Sequence, residues 1–572
     1  ETPVLRVRQF AFPRNRADDD WTMILGLMGR SMTAAAAAPI WRLRRSLILL
    51  VALVAAVATL PGCINMPTLL PASKQRPIDR KVVEYPSGFV LLPLVNDLNS
   101  PTAMAFDQDQ NLLVAESGGG EPHIFGWHRD GTYFNIYPWK RNVSFYPAAN
   151  TVLYGPIGGM VAHGGRIYVS HHDRNGLGVI TALGYDGTQT TIVAGLPAQG
   201  DNGVTDLVFS PLDGRLWFGV GTATNSGVVG NDNWNEGWLK RYPNVHDRVY
   251  SPNTPPTPYK LRGYRFDSKN PWAGLFGGAD IARTGPFQPF GVSDQARIEP
   301  TDKPNGAIYS VAADGGDMRV EAFGIHNPRG LAFSGAQVLY FTNDGMQLRG
   351  TRPVKYDPDS LLKCGRGLWY GWPDYTTNGN PVSAPEYQPP IELLARSGYT
   401  ENSALIDQES SGLPLNVAAT VQGQVAGVFP TMSGAAKLDF APENGPFREF
   451  FHSAIVALDG DQAPFATSGV KDFRGPIGHK VVIVDLSTKT VKDFIRNTAE
   501  LPASMQAFGT VALERPIDVK FGPDGSLYIL DFGRMENKNG IPRLFPNTGR
   551  IFKLVPVATP ATSTTVAPAE SH

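Results

Sequence analysis

Cysteine is nearly absent: Cys63 and Cys364 are the only two in 572 residues. That excludes a disulfide framework and a cysteine-rich metal site. Excess charge of one sign is missing too. Lys and Arg total 51 against 52 Asp and Glu, which leaves no electrostatic footprint for nucleic acid. The apolar run Ser46 to Leu60 is shorter than the ~20 residues a spanning helix needs. What the chain has in quantity is Gly (61) and Pro (48), beside 42% hydrophobic residues. This is the composition of a turn-rich, all-β globular protein. Its length exceeds one ordinary core unless the fold is modular.

The N-terminal stretch reads as processing signals. Residues 1–31 carry no apolar period and read as an upstream extension, with Met23, Met28 and Met32 each a candidate start. From residue 32 the pattern sharpens. Arg42, Arg44 and Arg45 precede the apolar run, which ends Leu60-Pro61-Gly62-Cys63. Charged flank, short apolar segment and small residue before Cys63 resemble a signal peptide with a bacterial lipobox over 32–63, in which Cys63 is lipidated. Pro61 is unusual there, and a plain signal peptide is the alternative. The expectation is an exported lipoprotein facing the periplasm or cell surface, with 64–85 a Pro-rich tether and 556–572 a low-complexity, disordered tail.

The chain between these ends repeats one hairpin. Its cleanest copy is Arg515 to Gly533, where Ile517, Val519 and Phe521 alternate with polar residues before the turn Pro523-Asp524-Gly525. Gly525 supplies the positive φ that such a turn asks for. Related pairs run from Ser100, Gly155, Gly203, Asn327 and Met432. Further β-like runs follow, such as Ala307 to Val311 and Gly549 to Leu554. Three or four strands recurring six times predict a six-bladed β-propeller over 86–555. Two stacked sandwiches are the rival, but they predict no common hairpin. Two long insertions, 222–305 and 346–430, interrupt the spacing; such loops are binding loops or surface decoration.

At Gly324-Ile-His-Asn-Pro-Arg-Gly-Leu-Ala-Phe333 the chain resembles the glucose/sorbosone dehydrogenase family, six-bladed quinoprotein propellers. Trp369-Tyr-Gly-Trp-Pro-Asp374 and the Pro523–Tyr528 hairpin resemble that family in the same order. The resemblance implies oxidation of a sugar or other alcohol outside the cytoplasm. It implies pyrroloquinoline quinone on one face of the propeller, a histidine base, cations for the quinone carboxylates, and calcium on the quinone oxygen.

Residue by residue the match is partial. The family's Asp-His pair before the third hairpin is Asp201-Asn202 here, and an asparagine cannot take the proton. His326 stands where the family has an arginine, and is a candidate relocated base. Asn327 is retained. Arg329, Arg349, Arg352 and Lys437 are the candidate cations for the cofactor, and Asn343, Asp344 and Gly345 the candidate metal site, against the reading of an ordinary turn. Asp459 and Asp461 form another acidic cluster. His163, His171 and His172 are the histidines nearest in sequence to the missing base, and a polar strand end is the preferred reading of His171-His172.

Two alternatives remain open. A non-catalytic propeller would bind a carbohydrate or a protein. A metal-dependent lactonase would need Glu116, Asn343, Asp344 and Asp518 to converge. Substrate, electron acceptor and oligomeric state are not legible.

Overall fold

A computed structural model describes residues 67–118, 121–138, 153–273, 279–461, 476–538 and 541–557. Cys63, the segments 1–31 and 32–63, and the tail from 558 lie outside the described residues. Among those described, no helix is long and apolar enough to cross a membrane.

The strands sort into six sheets of four or more, antiparallel apart from one short edge pairing. Their inner strands are Pro101–Phe106, Tyr154–His163, Val204–Phe209, Leu331–Phe333, Ala435–Phe440 and Pro516–Phe521. Each packs against the inner strand of the next sheet, and the sixth returns to the first. The protein is a six-bladed β-propeller. All six predicted hairpins are found as the inner and second strands of the blades.

The outer strand of the sixth blade comes from the other end of the chain. Phe89–Leu98 pairs antiparallel with Gly549–Pro556, Phe89 opposite Pro556 and Leu98 opposite Gly549. The ring is thus closed by hydrogen bonds between its two chain ends, which leaves no open edge there.

Burial explains a departure from the expected alternation. Leu112–Glu116, Leu216–Val220, Ser453–Leu458 and Leu527–Asp531 are buried at every position. Neighbouring blades cover both faces of these strands, so they read as continuous rather than alternating. On the inner strand Pro516–Phe521 the polar Asp518 is buried while Ile517 and Phe521 are half-buried, because Asp518 turns to the propeller axis. Gly525 has φ 72°, as its turn requires.

The two insertions share one small sheet. Tyr259–Leu261, from the first, pairs with Arg297–Ile298 and with Ile406–Asp407 of the second. A fully buried Arg352–Asp374 ion pair at 3.3 Å lies within the second insertion. Asn225 ties the two together by donating to the Gln347 and Arg349 carbonyls at 2.9 and 3.1 Å.

Candidate functional site

One end of the propeller collects the chemistry. Asp201-Asn202 and His326–Arg329 lead into inner strands, while Asn343–Gly345 and Asp459–Asp461 lie where second strands finish. In antiparallel blades these are the same end, so repeat geometry alone brings them near one another.

The 326–329 and 343–345 segments interlock. The Asn327 backbone N–H donates to Asn343 Oδ1 at 2.9 Å, and Asn327 Nδ2 donates to Asp344 Oδ2 at 2.9 Å. His326 Nδ1 faces the Asp344 carbonyl oxygen at 2.9 Å. A carbonyl only accepts, so the proton sits on Nδ1 and Nε2 presents its lone pair. Burial pushes the His326 imidazole down to about 4, which keeps it neutral. Its ring lies over Trp372 at 6.4 Å between centroids, so the two motifs that carry the family resemblance pack on each other.

Three buried polar atoms in this interlock have no hydrogen-bond partner among the described residues: His326 Nε2, Asn327 Oδ1 and Asp344 Oδ1, the last on a carboxyl that burial pushes well up. Next to them Asn202 donates to the Thr222 hydroxyl at 3.4 Å. The bare face of Gly221 makes the approach possible, since a Cβ there would meet Asn202 Cβ at 2.4 Å and Asn327 Oδ1 at 2.8 Å.

The cations are all engaged. Arg349 pairs with Asp201 at 2.8 Å and Asp232 at 3.1 Å, with Glu236 at 3.9 Å. Asp201 also accepts from Trp238 Nε1 at 2.6 Å and Asn233 Nδ2 at 3.1 Å. Burial among like charges pushes Asp232 up to about 6 and Glu236 up to about 8. Arg329 bridges Asp459 at 2.5 Å and Asp344 at 3.6 Å. Arg515 donates to the carbonyls of Asp459, Gly460 and Asp461. Arg352 is spent on Asp374 and on the carbonyls of Pro373 and Ser403.

Lys437 belongs elsewhere. It lies on the axis, donating to the Thr102 carbonyl at 2.8 Å between Asp206 at 3.9 Å and Asp518 at 3.8 Å. Lys520 joins at 3.7 Å from Asp518. Backbone N–H groups of other blades also donate to the acids here, Leu331 to Asp206, Met104 to Asp518 and Phe521 to the neighbouring Asp439, while Asp518 Oδ1 accepts no hydrogen bond among the described residues.

The remaining candidates have local duties. His171 bonds the Thr181 hydroxyl at 2.8 Å and the His172 carbonyl at 2.7 Å. His172 packs against Gly203, and His163 stacks on Phe209 at 3.9 Å. Gly345 N–H donates to Asp359 at 2.9 Å. Glu116 takes the Asn99 N–H at 2.7 Å, away from Asn343 and Asp344. Among the described residues no group of three or more His, Cys, Asp or Glu is placed to hold a metal ion.

Asp232, Glu236 and Trp238 were not legible as site residues. They sit on two short helices of the first insertion, Asn231–Glu236 and Trp238–Arg241, and only the polar run 231–234 hinted at them.

No family model and no curated protein matches the chain. Solved structures do. The holo PQQ domain of pyranose dehydrogenase from Coprinopsis cinerea is 15% identical over 84% of this chain and 98% of its own, with TM-score 0.47. A putative oxidoreductase (glucose dehydrogenase) from Thermus thermophilus is 16% identical over 82% and 100%, TM-score 0.41. PQQ-bound aldose sugar dehydrogenase from Streptomyces coelicolor is 14% identical over 82% and 99%, TM-score 0.40. The chain is similar to these sugar-dehydrogenase propellers. The blade assignment itself rests on the strand pairing described above.

Proposed function

We propose that the interlocked end of the propeller receives a sugar or other hydroxyl-rich small molecule, in a protein of the quinoprotein sugar-dehydrogenase type working outside the cytoplasm. One observation carries this reading: the buried, unpartnered acceptors His326 Nε2, Asn327 Oδ1 and Asp344 Oδ1. Buried acceptors without donors are costly. Hydroxyl groups supply the missing donors, and a polyol supplies several at once.

The quinone implied by the resemblance meets a poorer fit. It carries three carboxylates and needs cations free to receive them. Asp201, Asp232, Glu236, Asp344 and Asp459 already surround Arg329 and Arg349, and Lys437 is held on the axis. In this arrangement the residues do not fit a trianion. Calcium would find Asn327 Oδ1 and Asp344 Oδ1 as hard oxygen donors, fewer than the six to eight it takes. A His326 held near 4 is a hydrogen-bond acceptor more than a general base, whose pKa should lie near the working pH.

Dehydrogenase turnover with pyrroloquinoline quinone and calcium is the second reading. Asn327, retained in the family's motif, favours it. Calorimetric titration with a sugar panel, with and without quinone and calcium, separates the two. Sugar binding that needs neither cofactor supports the first. Micromolar quinone binding with sugar-dependent dye reduction establishes the second. Absence of both overturns the proposal.

Export and anchoring complete it. With 32–63 as signal peptide and lipobox, Cys63 carries the lipid. The described part of the expected 64–85 tether is instead part of the propeller, because Thr68–Leu69 and Val83–Glu84 pair into blade sheets and Ile78, Val83 and Tyr85 are buried. Cys63→Ala is expected to move the protein from the membrane to the soluble fraction and to abolish labelling by a fatty-acid analogue. Unchanged labelling contradicts the anchor.

A further inference from the structure

A second recess lies at the junction of blades 2 and 3, a cleft of about 290 Å³ lined by Gln199, Tyr242, Asn244, His246, Arg248 and Asn305. It adjoins the first site, since Ala223 borders it and the Ala223 carbonyl accepts the Asp201 N–H at 3.0 Å, but its lining holds none of the acceptors at His326. None of its lining residues takes part in the interlock.

Its electrostatics are the reverse of the first site's. Arg248 makes no ion pair among the described residues, whereas Arg329 and Arg349 are both held by acids. The buried neighbouring acid is occupied. Asp247 is buried and accepts from Ala223 N–H, the Thr224 hydroxyl at 2.5 Å and Asn305 Nδ2 at 2.9 Å. Asp302 sits by the Thr301 hydroxyl at 3.5 Å.

The frame is built. The Arg248 backbone N–H donates to Asn305 Oδ1 at 2.7 Å, and His246 Nδ1 donates to the Asp247 carbonyl at 2.9 Å. Tyr242 is wedged against the Gly176 turn, where a Cβ would meet its hydroxyl at 2.6 Å. Gln199 is tied to the Asn175 carbonyl at 2.8 Å. A free guanidinium on a fixed backbone, with an aromatic ring and side-chain amides around it, suits a planar anion carried on a polar body.

We propose that this cleft binds a small hydroxyl-rich molecule bearing one carboxylate, of the uronic acid class, with Arg248 taking the carboxylate. Calorimetric titration with glucuronate, glucose and inorganic phosphate tests it on the full chain. Glucuronate is expected to bind, and Arg248→Gln to weaken it at least tenfold with an unchanged unfolding temperature, because Arg248 is exposed. The loss caused by Arg248→Gln is expected to be the same in the His326→Ala background, which distinguishes this site from the proposed polyol site. No glucuronate binding, equal binding to Arg248→Gln, or glucose binding this cleft as tightly overturns the proposal. Phosphate binding as tight as glucuronate would reduce the cleft to a bare anion site and overturns the sugar part.

Discussion

Among the described residues the propeller holds a buried charge network on its axis and another at its end. They differ in their balance of charge and in how much remains unfilled: one atom, Asp518 Oδ1, on the axis against three in the interlock at the end. On the axis Asp206, Asp439 and Asp518 are shared among Lys437, Lys520 and backbone N–H groups from other blades. Its contacts join blades that are far apart in sequence. At the end, the acids around Arg349 and Arg329 exceed the cations, and acceptors at His326, Asn327 and Asp344 stay open. The first network is a clasp for the ring. The second has the form of a site, because three unmet atoms on adjoining segments, His326 Nε2, Asn327 Oδ1 and Asp344 Oδ1, call for an outside partner, whereas the axis leaves only Asp518 Oδ1 beside two lysines.

Breaking the clasp is expected to give the largest effect. Lys437→Met leaves Asp206 and Asp518 without their shared cation, and breaking a buried pair from one side costs about 3–5 kcal/mol. Urea unfolding reads this as a lowered midpoint. A loss under about 1 kcal/mol would place Lys437 outside the scaffold and erase the contrast.

Arg349→Met comes next. It frees Asp201, Asp232 and Glu236, but Asp232 and Glu236 lie nearer solvent and can protonate, so the expected cost is about 1–3 kcal/mol. The companion sign is a Glu236 that titrates higher than in the parent protein, measured by NMR. An unchanged titration contradicts the pairing.

The pH dependence sharpens the same point. Asp232 and Glu236 sit near 6 and 8 when folded, above their ordinary 3.8 and 4.5. The folded state therefore holds protons that the unfolded state has released. Their contribution is fully present below about pH 4 and is lost as pH rises through about 6 and then 8. Below about pH 6.5 this loss is opposed by His326 and His171, both lowered to about 4 and so favouring the folded state as pH rises; thermal stability should therefore fall most clearly between about pH 7 and 9. Asp247 and Asp357, raised to about 7 and 8, add to the same slope. Glu236→Gln should flatten the part above pH 7; a slope as steep as before would show that Glu236 is not among its sources.

The smallest effect on stability is expected at the open acceptors. His326→Ala removes one hydrogen bond to a carbonyl and some packing on Trp372, worth about 1–2 kcal/mol, while sugar affinity should fall at least tenfold.

Fold was far more legible than site. Each blade announces itself by local chemistry, a β-run, a Gly or Asp turn and a second β-run, so Pro523-Asp524-Gly525 could stand for all of them. The closing strand Phe89–Leu98 carries no such turn to its partner, because that partner lies at the other end of the chain. The shared sheet of the two insertions is hidden for the same reason: Lys260 finds Asp407 with no pattern linking them. At the site, 326–329 and 343–345 could be paired because they flank one hairpin. Arg349 and Lys437 look alike in sequence as cations. Only three-dimensional placement shows that one serves the end and the other the axis.

The central claim rests on the open acceptors, and calorimetric titration of a neutral sugar panel into the parent protein, His326→Ala and Asn327→Ala tests it most directly. Saturable binding in the parent, weakened at least tenfold in both variants with folding retained, is the predicted result. Binding that survives both substitutions, or no binding of any sugar to the parent, would contradict it.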